Sequence, residues 1–101
     1  MISEFNVKKI LSEKLQFDKQ KIKKLDDFAE NLLIFNKKHN LISKNTEKSI
    51  WDRHILDSAQ LVKFINPNTC NSIADLGTGG GFPGVILAIF FNNFNFHVKL
   101  Y

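Results

Sequence analysis

Cysteine and long hydrophobic runs are almost absent from this chain. The single cysteine, Cys70, excludes an internal disulfide and a thiolate metal cluster, so we expect a reducing, cytoplasmic setting and no metal. The longest apolar run, residues 85–91, has seven residues, whereas a membrane-spanning helix needs about 20. The N-terminus carries Glu4 and lacks the apolar core of a secretory signal. The sequence therefore predicts neither a membrane span nor a signal peptide.

The composition is that of one small globular domain. Of the 101 residues, 44% are hydrophobic and 24% are charged, which favours a packed core over disorder. The net charge is +4, and every basic residue except Lys99 lies between Lys8 and Lys63. The basic residues that could together follow a phosphate backbone are Lys8 and Lys9, the cluster Lys19, Lys21, Lys23 and Lys24, and the pair Lys37 and Lys38. For any single lysine, an ordinary solvated helix face is the favoured interpretation.

Two helices are predicted in the first 40 residues. Ser3 and Asp18 are placed to cap them, and Asn40 can adopt the left-handed conformation that ends the second. The apolar residues of the second helix recur at three- and four-residue steps, and those of the first are less regular. The expected apolar faces are Ile2, Phe5, Ile10, Leu11 and Leu15 in the first helix, and Ile22, Leu25, Phe28, Ala29, Leu32 and either Phe35 or Leu33 in the second.

Shorter helical segments are predicted next. Asn45 or Thr46 could cap a third helical stretch through residues 50–51, and residues 58–65 favour helix again. Residues 66–69, Asn-Pro-Asn-Thr, are typical of a turn. We expect this turn to divide the chain into an N-terminal helical region, 1–66, and a second part, 67–101.

The second part has the pattern of a β-α-β unit. Residues 72–76 are short, partly apolar and followed by glycines, as a buried parallel strand would be. Pro83 suits the start of a helix whose apolar residues run over 85–90. Residues 96–101 alternate with the two-residue period of a second strand. The sequence thus predicts an α/β unit with parallel strands joined by a right-handed crossover.

The most informative segment is 75–84, Asp-Leu-Gly-Thr-Gly-Gly-Gly-Phe-Pro-Gly. Its clustered glycines let backbone N–H groups approach a ligand beside the positive end of the next helix. No Gly-Lys-Ser/Thr follows, which excludes a Walker P-loop, and a dinucleotide fingerprint counted from Gly77 puts Phe82 at its third glycine. The segment resembles the Asp-x-Gly-x-Gly-x-Gly loop of class I methyltransferases, which receives the aminoacyl end of S-adenosyl-L-methionine. A glycine-rich tight turn without a ligand is the structural alternative.

Residues 51–58, Trp-Asp-Arg-His-Ile-Leu-Asp-Ser, bring the only arginine beside a histidine and carboxylates. Arg53 could clamp a phosphate or pair with Asp57. His54 could be a base, a hydrogen-bond partner of the glycine loop, or a packed side chain. A surface salt bridge with a packed histidine is the favoured interpretation, and Trp51 is expected in the core. We assign no chemistry to the two other histidines, His39 and His97.

Three segments together resemble the small-subunit ribosomal RNA methyltransferase G family, also called glucose-inhibited division protein B. They are 35–41, Phe-Asn-Lys-Lys-His-Asn-Leu; 53–58, Arg-His-Ile-Leu-Asp-Ser; and the glycine-rich 75–84. The resemblance implies a Rossmann-like class I fold with an N-terminal helical extension, in the cytoplasm. It also implies transfer of a methyl group from S-adenosylmethionine to N7 of a guanine in 16S ribosomal RNA.

The resemblance assigns residues to the site as well. Gly77 and Phe82 match cofactor contacts of the family, and the rest of the loop is formed by Asp75, Thr78, Gly79 and Gly81. Because guanine N7 has a lone pair and no proton to lose, no catalytic base is named. The candidates for contact with the phosphates of ribosomal RNA are Arg53, Lys21 and Lys24.

The chain departs from the family in length, which is roughly twice as great in its other members. Residue 101 falls inside the predicted second strand, and we therefore expect a missing C-terminal half and no activity of this chain alone. Two alternatives stay open: a non-catalytic basic module that binds ribosomal RNA, and a decayed gene product without function.

Overall fold

The computed structural model describes residues 2–69, 72–75, 82–92 and 97–100. A helical region comes first, and a helix flanked by two short strands follows it. The elements are α1 (Glu4–Glu13), α2 (Lys19–His39), α3 (Lys44–Glu47), a π-helical segment (Ile50–Leu56), α4 (Asp57–Ala59), a 3₁₀ segment (Gln60–Phe64), β1 (Ser72–Asp75), α5 (Gly84–Phe90) and β2 (His97–Leu100).

Helix α1 begins where the sequence predicts, and its predicted apolar face is confirmed at Leu11 and Leu15 but wrong at Ile2 and Phe5. The Ser3 hydroxyl accepts a hydrogen bond from the Asn6 N–H at 3.2 Å, which confirms the predicted cap. Val7 and Leu11 are fully buried, one helical turn apart, whereas Phe5 is 76% exposed. The prediction for Phe5 is wrong because two residues of α-helix correspond to about 200°, so Phe5 and Val7 point in opposite directions.

Helix α2 is capped at both ends as predicted. A carboxylate oxygen of Asp18 accepts from the Lys21 N–H at 2.8 Å, and Asn40 adopts the left-handed conformation with φ 50° and ψ 48°. Of the two alternatives for the apolar face, Leu33 is half-buried against the core, whereas Phe35 is 58% exposed.

The buried face of α2 ends on a polar residue. Asn36 lies one turn after Leu32 and is only 1% exposed. Its side-chain oxygen accepts from the Ile42 N–H at 2.7 Å, and its amide nitrogen donates to a carboxylate oxygen of Glu47. Asn36 therefore ties the end of α2 to the following loop and to α3.

The helical segments between residues 43 and 64 differ in detail from the prediction. Ser43, and neither Asn45 nor Thr46, occupies the position before α3. Residues 50–51 lie in the π-helical segment, whose buried residues are Ile50, Trp51, Ile55 and Leu56. The predicted helix over 58–65 is divided between α4 and the 3₁₀ segment.

The predicted turn at 66–69 is confirmed. The Asn66 carbonyl oxygen accepts from the Thr69 N–H at 3.1 Å, and its side-chain oxygen accepts from the Asn68 N–H at 2.9 Å. These bonds satisfy the backbone of the connection that leads towards β1.

The two strands are parallel, as predicted, with α5 between them in the chain. Ser72 pairs with His97 and Asp75 with Leu100. Helix α5 begins at Gly84, and the Pro83 carbonyl oxygen accepts from the Leu87 N–H at 3.1 Å. Proline thus precedes the first helical residue. The hand of the crossover stays a prediction.

One hydrophobic core joins α5 to the helical region. Ile86, Leu87 and Phe91 are at most 2% exposed and belong to the same cluster as buried residues of α1 and α2. The division at residues 66 and 67 stays a prediction. In the part of the chain that the structure describes, no helix is both long and apolar enough to cross a membrane.

Candidate functional site

The predicted site lies where β1 leads towards α5. β1 ends at Asp75, which is in register with Leu100 of β2, so both parallel strands end at the same edge. Crevices at this edge of α/β sheets commonly hold ligands. The predicted loop residues Gly77, Thr78, Gly79 and Gly81 lie outside the described residues, as does the side chain of Asp75.

Phe82, the last of the predicted cofactor residues, lies at the start of the described segment 82–92. Its half-buried ring stacks on the His54 imidazole, with ring centroids 5.1 Å apart and planes inclined by 25°. The edge of the Phe28 ring from α2 meets it at 5.4 Å and 73°. Phe82 is therefore in contact with two rings of the helical region.

His54 is packed and hydrogen-bonded. It lies in the π-helical segment, and its Nε2 is 3.2 Å from the Thr46 hydroxyl oxygen. Burial lowers the pKa of His54; the nearby Asp57 carboxylate opposes this shift and the Arg53 guanidinium adds to it. The packed interpretation of His54 is thus confirmed, and the lowered pKa favours the neutral imidazole.

A cleft of about 450 Å³ opens beside this aromatic stack. Arg53 is exposed in its wall, and no ion pair joins it to Asp57 among the residues described. The expected salt bridge between them is therefore wrong, and the guanidinium is available to an anion. The cleft is lined by Arg53, His54, Asp57, Ser58, Gln60, Leu61, Phe64, Phe82 and Pro83.

The two lysine candidates lie elsewhere, along α5. The Lys21 ammonium is 4.6 Å from the centroid of the Phe90 ring, a cation–π contact that holds this half-buried side chain on α5. Lys24 is exposed and lines a separate groove of about 270 Å³ with residues of α5 and β2. The arginine and the lysines thus line different surfaces, and RNA contact by each of them stays a prediction.

Lys8, one of the basic residues predicted to follow a phosphate backbone, instead contacts two carboxylates and an aromatic ring of the protein. Its ammonium is 2.7 Å from a carboxylate oxygen of Asp26 and 2.9 Å from one of Glu4, and it lies 4.8 Å from the centroid of the Trp51 ring. Burial disfavours the charged form, but the hydrogen bonds to Asp26 and Glu4 outweigh it and raise the pKa of Lys8. Trp51 is buried, as expected.

Sequence reasoning missed two polar residues, Asn36 and Thr46. Asn36 occupies a core position of the heptad-like series that contains Leu25, Ala29 and Leu32, so a polar residue in an apolar series was the available signal. Nothing local marks Thr46 as the partner of His54, eight residues further on. Across the described ranges, no cluster of three or more His, Cys, Asp or Glu side chains could hold a metal ion.

Comparison with known proteins identifies the family to which this sequence is similar. The sequence model of the family described as rRNA small subunit methyltransferase G (GidB) matches residues 21–99. The chain belongs to this family. The methyltransferase G match extends from α2 into β2 and includes the π-helical segment and the whole of segment 75–84, as the resemblance of the motifs predicts.

Several curated relatives carry the name ribosomal RNA small subunit methyltransferase G. That of Magnetococcus marinus is 50% identical over 66 residues, which are 65% of this chain and 29% of the relative. That of Rickettsia bellii is 47% identical over 68 residues, 67% of this chain and 35% of the relative. That of Allorhizobium ampelinum is 47% identical over 75 residues, 74% of this chain and 35% of the relative. The matched segments cover about one third of the length of these relatives.

Proposed function

We propose that this chain forms the N-terminal helical region and first β-α-β unit of a class I methyltransferase that uses S-adenosylmethionine to methylate guanine N7 in 16S ribosomal RNA. The observation that carries the proposal is the junction between β1 and α5. It lies at the carboxyl ends of two parallel strands, within a segment matched by the methyltransferase G family. The proposal implies action in the cytoplasm, where ribosomal RNA is found.

The donor set of this junction suits the amino-acid end of the cofactor. Backbone N–H groups of Gly77, Thr78, Gly79 and Gly81 can donate to a carboxylate, and a carboxylate such as that of Asp75 attracts an ammonium. Phe82 supplies an apolar neighbour whose position is fixed by His54 and Phe28. We assign these residues to the cofactor.

The chemistry requires little of the protein beyond orientation. The sulfonium of the bound cofactor supplies an activated methyl group, and guanine N7 needs no deprotonation. The protein then has to align N7 with the donor and exclude water. We propose no catalytic residue in this chain, and we assign its part of the work to holding the cofactor and the RNA.

Arg53 is the strongest of the three candidates for RNA contact. It is exposed, free of ion pairs in the described part of the chain, and lines the cleft that adjoins Phe82. Lys24 is exposed on another surface, and Lys21 is drawn onto Phe90. We propose phosphate contact by Arg53 first, and by Lys24 and Lys21 at the margin of the same bound RNA.

We also propose that turnover needs residues equivalent to the C-terminal half of the family's other members. In the described ranges the sheet has two strands, whereas a class I fold closes its cofactor site with a larger, doubly wound sheet. We therefore expect this chain by itself to bind the cofactor weakly and to leave RNA unmethylated.

Isothermal calorimetry of this chain with S-adenosylmethionine tests the proposal. We expect binding by the wild type and none by Gly77→Val or Gly79→Val, because a β-branched side chain obstructs close approach to the backbone. Ala88→Val is the matched control, since it adds two methyl groups to α5 at an exposed position. Unchanged affinity in both glycine variants would contradict the proposal. Salt-sensitive RNA binding without any cofactor binding would instead favour the non-catalytic basic module.

A further inference from the structure

We propose that His54 is a positioning residue for the methyl-donor loop: its imidazole, fixed by Thr46, holds the Phe82 ring where the loop enters α5. This inference rests on the proposed function, because it assigns a role towards the cofactor segment. It concerns the aromatic stack formed by Phe28, Phe82 and His54, with Thr46 behind the histidine.

The hydrogen bonds of Thr46 decide which nitrogen of His54 carries the proton. The Thr46 hydroxyl donates to the Ser43 carbonyl oxygen at 3.0 Å, which leaves its oxygen as an acceptor only. That oxygen then accepts from the Ser43 hydroxyl at 3.1 Å and from His54 Nε2 at 3.2 Å. We infer that Nε2 of His54 carries the proton and donates to this oxygen, so that Thr46 orients the ring.

The oriented ring acts on Phe82 through its face. The His54 and Phe82 planes are inclined by only 25°, while Phe28 meets Phe82 nearly edge-on at 73°. A stacked contact with one ring and a strongly inclined contact with another restrict both the position and the tilt of the Phe82 ring. The half-buried ring is thus oriented by two elements that precede the loop in sequence.

The charged groups close to His54 leave this arrangement intact at neutral pH. Arg53 on the same segment and Asp57 at the start of α4 act on it in opposite senses, and the group that faces it from α3 is the uncharged Thr46. Phe28 and Phe82 carry no charge either. A neutral imidazole can keep Nε2 as donor and present its face to Phe82.

Fixing Phe82 matters because it bounds the segment that receives the cofactor. Six residues, 76–81, separate Phe82 from the end of β1. Because Phe82 is already ordered in the free protein, cofactor binding loses less conformational entropy and is tighter. The expected effect of losing His54 is therefore weaker cofactor binding without loss of the fold.

Four variants separate this role from a merely structural one. In calorimetry with S-adenosylmethionine, His54→Leu should weaken binding by about 10-fold, because it removes both the stack and the hydrogen bond. His54→Phe keeps an aromatic ring and should restore affinity to within about 3-fold of wild type. Thr46→Val should weaken cofactor binding by about 3-fold, because it removes the hydrogen bond to His54. His39→Leu is the control, since His39 contacts Phe35 at the exposed end of α2.

A double-mutant cycle identifies the route of the effect. If His54 acts through Phe82, then His54→Leu in a Phe82→Leu background should weaken binding by less than about 2-fold. Additive losses, or wild-type affinity of His54→Leu, would overturn the inference. Thermal unfolding of each variant accompanies the titration, so that loss of folded protein is measured and not mistaken for loss of affinity.

A measurement without cofactor distinguishes failure of this inference from failure of the proposed function. In NMR spectra of the free protein, His54→Leu should shift the amide signals of Phe82 and Gly81, and His39→Leu should leave them unchanged. Nitrogen shifts of the wild-type imidazole should identify the Nε2–H tautomer. Absence of cofactor binding by wild type would contradict the proposed function alone, whereas unmoved Phe82 and Gly81 signals would overturn the role of His54.

Discussion

The two faces of the π-helical segment differ in nearly every physical property. One face buries Ile50, Trp51, Ile55 and Leu56 in the core, where Lys8 covers the tryptophan ring. The other carries an exposed arginine and the histidine that stacks on Phe82. Seven consecutive residues thus contribute both to stability and to the candidate site, and substitutions on the two faces should have separable effects.

The largest expected effect lies on the buried face. Ile55→Ala should lower the free energy of unfolding by about 3 kcal/mol, because it opens a cavity at a fully buried position. Urea denaturation measures the change. Ile34→Ala makes the same substitution at a 58% exposed position of α2 and should cost below about 1 kcal/mol. Equal losses in the two variants would show that the π-helical segment is not packed as described.

The covering lysine should contribute less. Lys8→Met keeps an apolar stem over Trp51 but removes the ion pairs with Glu4 and Asp26, so we expect a loss below about 1 kcal/mol. Lys23→Met is the matched control, since Lys23 makes one long and exposed ion pair, 3.9 Å from Asp27. Urea denaturation measures this loss. The difference in unfolding free energy between wild type and Lys8→Met should be smaller at high salt than at low salt, because salt screens the ion pairs.

On the site face, stability should depend on pH through His54. Because the folded protein lowers the pKa of His54 below its ordinary value of 6.5, the unfolded state binds more protons in this range. The contribution of His54 is therefore complete above pH 6.5 and is lost as the pH falls towards the folded-state pKa. Urea titrations between pH 8 and 5 on wild type and His54→Phe measure it. The same slope in both proteins would assign the pH dependence to other groups.

The smallest expected effect on stability belongs to Arg53. Arg53→Ala should change the free energy of unfolding by less than about 0.5 kcal/mol, since its side chain is exposed and makes no ion pair in the described ranges. In gel shifts with a 16S ribosomal RNA fragment, it should weaken binding and reduce the salt slope by about one. Lys63→Ala, an exposed charge just outside the cleft lining, is the control for net charge.

Local signals predicted the caps of α1 and α2 and the two strands, but not the cap of α3. Ser3, Asp18 and Asn40 act on backbone groups within a few residues of themselves, so the sequence alone contains the relevant geometry. The parallel pairing of β1 and β2 followed from the two-residue period and the intervening helix. These elements depend little on distant parts of the chain.

The errors occurred where tertiary packing chooses among local alternatives. Phe5 is large and apolar, but packing selects Val7 and leaves Phe5 exposed, and packing also decides for Leu33 between the two alternatives that the sequence left open. The π-helical geometry has no simple sequence signature of its own and was not predicted.

The candidate site was predictable as a segment but not as an arrangement. The glycines and Phe82 identify the loop through their order in the sequence. The stack of Phe28, His54 and Phe82 joins residues up to 54 positions apart, and such contacts follow only from the packed fold. Of the three alternatives for His54, the packed one is confirmed; its contact with Phe82 is a ring stack, and its hydrogen bond goes to Thr46 and not to the glycine loop.

The shared core of α5 and the helical region has a consequence for synthesis. The amino-terminal helices leave the ribosome before Ile86, Leu87 and Phe91, which complete their core. Until α5 has emerged, the nascent helices keep an uncovered apolar surface that chaperones can recognise. Their protection against hydrogen exchange should therefore appear only when α5 has also left the exit tunnel, because the two regions fold together around one core.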